Sequence, residues 1–302
     1  MSLLRTSAVA ASGVLLGALV AGPASTAVAA PTATSAATAA CTMTVGSVTS
    51  GGDIGYSNIT ASAPVTAQQG TGVHMFTPGI TKMSTTWSLG PKSSSGQLTS
   101  GEVMLNTSLY NAWYGTDGNG KPVTGFSNSG KNYGGYNYME RTSYWPSNLL
   151  VSTYRLRNDG VLYRFDRQWT DFPYDIVTRF NGFAAVKTMA LIGETKTYDT
   201  FLANTRGGAL YTIRIPRAAG KLPIVTKIRT STWQTFESLV AERCGTQSTL
   251  LTAIDKDTGN AYLYAVSHGA GVIKGLGKVP GTYKDPAYYL RTTDATAPLY
   301  GA

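Results

Sequence analysis

Asn158-Asp159-Gly160-Val161-Leu162-Tyr163 combines a turn, a small residue and a Leu-Tyr pair, and the phrase returns along the chain. Gly207-Gly208-Ala209-Leu210-Tyr211 and Gly259-Asn260-Ala261-Tyr262-Leu263-Tyr264 repeat it, with Leu109-Tyr110 as a looser fourth copy. An apolar stretch precedes each of the first three: Leu149-Leu150-Val151, Phe201-Leu202-Ala203 and Leu250-Leu251-Thr252-Ala253-Ile254. Asn-Asp-Gly, Gly-Gly and Gly-Asn tolerate positive φ, so each copy predicts a tight hairpin between two short strands. Copies about fifty residues apart, made of strands and Gly turns, predict a radial β array of the propeller kind.

Helix signals are scarce elsewhere, and apolar residues alternate or cluster in strand-length runs. Residues 53–302 divide into five units of about fifty, so the expected fold is all-β, a β-propeller of five four-stranded blades. A second echo follows two of the hairpins. Phe180-Asn181-Gly182-Phe183 leads to Val186, and Trp233-Gln234-Thr235-Phe236 leads to Leu239. In a chain of strands this predicts the junction where one blade packs on the next. The first two units match least well. The second carries an aromatic-dense insert from Tyr110 to Trp145 that includes Trp113, Tyr114, Tyr133, Tyr136, Tyr138 and Tyr144.

The N-terminus reads differently. Arg5, an apolar run over Ala8–Val20 and the small residues Ala27-Val28-Ala29 fit a signal peptide over 1–29. The run is too short to span a bilayer. Residues 30–40, rich in Pro, Thr, Ser and Ala, read as a flexible leader before a β-propeller domain at 41–302. The chain is therefore expected to be secreted and extracellular, with no membrane span. In that oxidising setting its two cysteines, Cys41 and Cys244, are expected to form a disulfide. The formal net charge is +9, densest at Arg155, Arg157, Arg164 and Arg167, with no run of five basic residues. Anionic surface polymers suit such a balance, and so does simple solubility.

The chain resembles the tachylectin-type five-bladed propeller lectins, on Gly160 to Tyr163, Gly208 to Tyr211, Leu263-Tyr264, Phe180 and Trp233. The likeness covers residues 148–268. It implies a sugar pocket near each blade junction, made largely of loop backbone with a few polar or aromatic side chains. The family's full aromatic repeat is missing, so equivalent pockets in every blade are not implied.

Sugar binding needs flat apolar surface for the C–H face of the ring and forked polar groups for its hydroxyls. Trp145, Asn158, Asp159, Trp169, Asp171, Arg206 and Tyr136 supply such groups beside the repeated strands and are the candidate carbohydrate-binding residues. Trp87 and Trp233 read instead as packing residues. Asp255-Lys256-Asp257-Thr258-Gly259-Asn260 and Asp117-Gly118-Asn119-Gly120 are better explained as hairpin turns than as calcium loops, since neither offers a third carboxylate or a bidentate Glu. His74 and His268 are the only histidines and no zinc spacing is present. No nucleophile motif, paired-carboxylate tripeptide or phosphate loop occurs. No catalytic residue, metal or cofactor is assigned, and nucleic acid is not an expected partner.

Three functions follow. The first is a lectin-like propeller recognising cell-surface or cell-wall glycans through its blade loops, where several weak sites gain by engaging one polymer together. The second is a non-catalytic scaffold docking on a secreted protein partner through the 110–145 aromatics. The third is a polysaccharide hydrolase with carboxylates recruited from Asp53, Glu102, Asp166 or Asp199.

Overall fold

Gly160, Gly208 and Gly259 adopt φ of 82°, 90° and 71° at the tips of three hairpins, the left-handed conformation their turns require. A computed structural model describes residues 40–77, 79–144, 150–166, 176–268, 271–284, 288–294 and 299. Everything regular among them is strand. The first eight strands are β1 (Thr42–Val48), β2 (Asp53–Thr60), β3 (Thr66–His74), β4 (Ile80–Met83), β5 (Thr86–Leu89), β6 (Gly96–Leu105), β7 (Ser108–Asp117) and β8 (Pro122–Gly130). Three groups of four follow. They are β9 (Tyr136–Tyr144), β10 (Leu150–Arg157), β11 (Leu162–Asp166) and β12 (Ile176–Phe180); β13 (Val186–Glu194), β14 (Tyr198–Thr205), β15 (Leu210–Pro216) and β16 (Ile224–Arg229); and β17 (Ser238–Arg243), β18 (Ser248–Asp255), β19 (Asn260–Ser267) and β20 (Val272–Val279). The last strand is β21 (Tyr288–Asp294).

Each group of four is an antiparallel meander. The remaining nine strands form one sheet in the order β3-β2-β1-β21-β5-β6-β7-β8, with β4 also on β6. Two features make that sheet. β21 pairs antiparallel with β1, Val45 opposite Arg291, so the last strand closes on the first. β21 also pairs parallel with β5, Thr292 opposite Trp87.

The strands β5, β9, β13, β17 and β21 touch one another in turn, and β21 returns to β5. This closed circuit of inner strands, with meanders radiating from it, makes the all-β fold consistent with a β-propeller. The cores lie between successive sheets. Leu156, Leu162, Phe183, Met189 and Phe201 fill one gap, and Leu202, Trp233, Leu239, Leu251 and Val266 the next. Met43, Ile59, Leu263, Val279 and Tyr283 fill the gap back to β1. Middle strands such as β14 are therefore buried on both faces, while the open-edge strand β16 is exposed along most of its length. Each fully buried aliphatic or aromatic side chain contributes roughly 1.5–3 kcal/mol.

One hydrogen bond defines the repeat better than the Leu-Tyr phrase does. The backbone N–H of Phe183 donates to Gly160 O, that of Trp233 to Gly208 O and that of Tyr283 to Gly259 O, each at 3.0 Å. Tyr133 donates to Thr107 O at 2.8 Å, and Phe76 to Gly52 O at 3.1 Å. In each case the connection leaving a sheet is pinned under that sheet's own hairpin turn. Phe183, not Phe180, therefore matches Trp233; Phe180 sits on β12 opposite Leu162. Counting from the turn glycine, Ala261-Tyr262 rather than Leu263-Tyr264 matches Leu210-Tyr211, and buried Ala261 takes the place of buried Leu210. The 110–144 aromatics are no insert: they lie on β7, in the connection after β8 and on β9.

Cys41 and Cys244 are bonded, with Cα atoms 5.7 Å apart, tying the start of β1 to the end of β17. Among the described residues no helix is long and apolar enough to cross a membrane.

Candidate functional site: a hollow at Gly55

Three residues after the turn, β7, β11, β15 and β19 carry Tyr110, Tyr163, Tyr211 and Tyr262. These tyrosines pack. Tyr163 stands edge-on to Tyr136 at 6.1 Å, Tyr110 meets Phe126 at 6.3 Å and Tyr262 meets Phe236 at 6.1 Å. On β2 the same position is Gly55. With no ring there, a hollow of about 510 Å³ opens between the β1–β3 hairpins and the connection through Thr282-Tyr283.

Sheet register assigns its walls. Tyr289, Ser47, Gly55 and Thr71 form one row across β21, β1, β2 and β3. Val45, Ser57 and Gln69 form the next row on the same face, because side chains alternate along a strand. Tyr283 closes the side: its hydroxyl lies 2.8 Å from Ser57 Oγ, and its carbonyl accepts from Tyr289 Oη at 2.6 Å. Burial pushes the Tyr283 phenol above its ordinary value, partly offset by bonding to Ser57 and Gln69. Gln69 grips the connection with both ends of its amide, Nε2 donating to Thr282 O and Oε1 accepting from Thr282 N. At the mouth, Asp53 accepts the backbone turn of Thr49 and pairs with His74 Nδ1 at 3.0 Å.

The hollow thus offers hydroxyls, one carboxamide, one carboxylate and three tyrosine rings, those of Tyr56, Tyr283 and Tyr289. Asp53 is the sole acid lining it. That donor and acceptor set suits a neutral polyhydroxylated ligand.

A second, smaller hollow of about 130 Å³ lies one sheet pair away, beside Tyr133, the counterpart of Tyr283. Arg155 crosses it. Its Nη2 reaches both Glu102 oxygens at 3.1 and 3.2 Å, and its guanidinium lies 5.1 Å from the Tyr133 ring centre and 4.6 Å from Phe165. The corresponding gaps elsewhere are packed with rings. Phe76 meets Trp87, Tyr114 and Phe126, and Trp233 lies 4.8 Å from Tyr264.

The residues selected from sequence fall elsewhere. Trp145, Trp169 and Asp171 lie outside the described residues. Tyr136 and Asn158 come together, Asn158 N donating to Gly135 O, and Tyr136 packs on Tyr133 beside the smaller hollow. Asp159 accepts from Val161 N and pairs with Arg157 at 2.7 Å, both turn-forming contacts. Arg206 donates to Ala184 O and Val186 O, clamping the Phe183 connection. The larger hollow was missed. Its signal is an absent tyrosine, visible only once the units are aligned on their turns. Trp87 and Trp233 are buried, and Asp117 and Asp255 accept backbone N–H bonds within their own turns.

Three further buried carboxylates, Asp199, Glu194 and Glu140, line neither hollow. Asp199 accepts from Arg217 at 2.7 Å, Tyr154 at 2.7 Å and Thr142 at 3.2 Å. Glu194 accepts from Ser143 N at 2.7 Å and Leu299 N at 3.0 Å. Glu140 accepts from Thr85 and from Arg141 N. Burial raises all three pKa values, Glu194 to about 8, against the pull of arginines, Arg291 beside Glu140 and Glu194 and Arg217 beside Asp199. Arg291 Nη1 stands 3.9 Å from Glu242, within ion-pair range but too long for a hydrogen bond. Glu194 thereby joins the inner strands β13 and β9, and Asp199 joins β14 to β9 and β10. Among the described residues no cluster of three His, Cys, Asp or Glu could hold a metal ion.

No family model and no curated protein matches the chain. Solved structures similar to it include the BP39L lectin of Burkholderia pseudomallei, at 16% identity over 80% of this chain and 70% of that one, with a TM-score of 0.41. The SapL1 lectin in complex with alpha methyl fucoside is 10% identical over 82% and 80%, TM-score 0.42. A mutant of the Aleuria aurantia lectin AAL, in complex with Fucalpha1-6GlcNAc, is 14% identical over 82% and 81%, TM-score 0.47. At these levels they identify no family, and the tachylectin-type likeness stays a resemblance.

Proposed function

We propose that the protein is a secreted, non-catalytic carbohydrate-binding propeller of five blades that takes a glycan residue into the hollow at Gly55. In this reading residues 1–29 are removed, and the nine-stranded sheet is two blades joined where β21 meets β5. The five turn-to-connection bonds, at Phe76, Tyr133, Phe183, Trp233 and Tyr283, support that count. The observation that carries the function is the hollow itself: hydroxyls, an amide and a carboxylate over tyrosine rings, at the one repeat position where Gly replaces Tyr. The extracellular setting is supported by the Cys41–Cys244 bond.

A glycan array followed by calorimetry tests it, with methyl fucoside and cell-wall polysaccharide among the probes. Free sugar is expected to compete. Gly55→Tyr, which restores the ring of the other units, is expected to abolish binding while far-UV spectra stay unchanged. Because a Cβ at Gly55 meets Ser47 Oγ at 2.8 Å, Gln69→Ala serves as the second variant. Binding that survives both substitutions rejects this site.

A further inference from the structure

We propose that the β15–β16 hairpin is a docking surface for an anionic lipid bilayer, independent of the hollow at Gly55. No acidic residue occurs between Asp199 and Glu237. Within that stretch Arg214, Lys221, Lys227 and Arg229 gather on one hairpin. Arg217 is turned inward to Asp199 and is not counted with them. Beside the cations, Leu222, Ile224 and Val225 are 78%, 58% and 55% exposed. A soluble surface scatters such aliphatics singly, and three within four residues form a patch.

The arrangement is repeated. The preceding sheet places Ile176-Val177-Thr178-Arg179 on its open edge, as this one places Ile224-Val225-Thr226-Lys227. Val177 stands opposite Phe165 as Val225 stands opposite Ile213. Arg179 lies over the Tyr163 ring at 5.5 Å and Lys227 over the Tyr211 ring at 5.6 Å. Cation and tyrosine are thus held together on one face of the open edge, while Ile224 and Val225, which alternate to its two faces, both stay more than half exposed. None of the open-edge strands β3, β8, β12, β16 and β20 carries an acid.

Charge complementarity selects an anionic partner, and the aliphatics select one that can take up hydrocarbon. A bilayer with anionic headgroups offers both, binding in proportion to apolar area buried and to local positive charge. A polyanionic glycan satisfies the cations but leaves Leu222, Ile224 and Val225 in water.

The test is co-sedimentation of the full chain with phosphatidylcholine vesicles, with and without about 30% phosphatidylglycerol. Binding is expected only to the anionic vesicles. It should fall at least about tenfold in Leu222→Ser/Ile224→Thr/Val225→Thr and, separately, in Lys221→Gln/Lys227→Gln. Melting temperature and glycan binding are read on the same variants and should hold, so failure here is distinct from failure at Gly55. Equal binding to neutral vesicles, or binding that survives either variant, overturns the proposal. So does retention on dextran sulfate that ignores the aliphatic variant, which marks a polymer surface. A dimer in size-exclusion chromatography that the aliphatic variant abolishes overturns it in favour of self-association.

Discussion

Tyr283 Oη lies 2.8 Å from Ser57 Oγ, a contact between residues 226 apart that binds the final connection to the second strand. Tyr283 also donates its N–H to Gly259 O, so one residue joins the β17–β20 sheet to the sheet holding β1. Tyr283→Phe keeps the ring and removes the hydroxyl, leaving Ser57 without this partner in a buried setting. We expect a loss of about 1–2 kcal/mol in urea unfolding, and weaker glycan affinity by calorimetry. Unchanged values for both would mean that water replaces the hydroxyl at no cost.

Cys41→Ser should destabilise the fold by roughly 2–5 kcal/mol, because the bond closes a loop spanning 203 residues. Chemical denaturation with and without reductant measures it. Reductant should shift the wild type toward the variant and leave the variant unmoved.

Stability should depend on pH through Glu194. Burial raises its folded pKa to about 8, above the ordinary glutamate value of 4.5, so the native state holds a proton that the unfolded chain releases. The native advantage is full below about 4.5, declines as pH climbs toward 8 and levels off beyond. Glu140 and Asp199 are shifted in the same direction. The Glu194 contribution is at most about 5 kcal/mol across that window. Melts at pH 5, 7 and 8.5 should fall in that order, less steeply in Glu194→Gln. A melting point that rises with pH over this range would falsify the assignment.

Trp233→Ala should cost about 3–5 kcal/mol, since the ring is buried against Phe236 at 5.1 Å and Tyr264 at 4.8 Å. Trp113→Ala, on a half-buried ring covering Gly125, should cost less. Equal losses would contradict the packing described for this junction.

Hairpin chemistry is local, so Asn158-Asp159-Gly160 and Gly207-Gly208 announced their turns and neighbouring strands without any tertiary knowledge. The pairing of Cys41 with Cys244 was legible because no other cysteine exists. The aromatic at 133, 183, 233 and 283 was hidden, since its register depends on a backbone bond to a distant turn, and Phe180 offered a closer local match to Trp233. The Ala261-Tyr262 alignment was masked by the Leu263-Tyr264 that follows it two positions later on the same strand face.

Composition and turn spacing by themselves determined an all-strand body built from repeated hairpins, because φ preference and alternation act over a few residues. Only the tertiary structure decided where that body is open. A cavity is a missing side chain, and the empty place at Gly55 acquires meaning only when Ser47, Ser57, Gln69 and Tyr283, drawn from both ends of the chain, are folded around it.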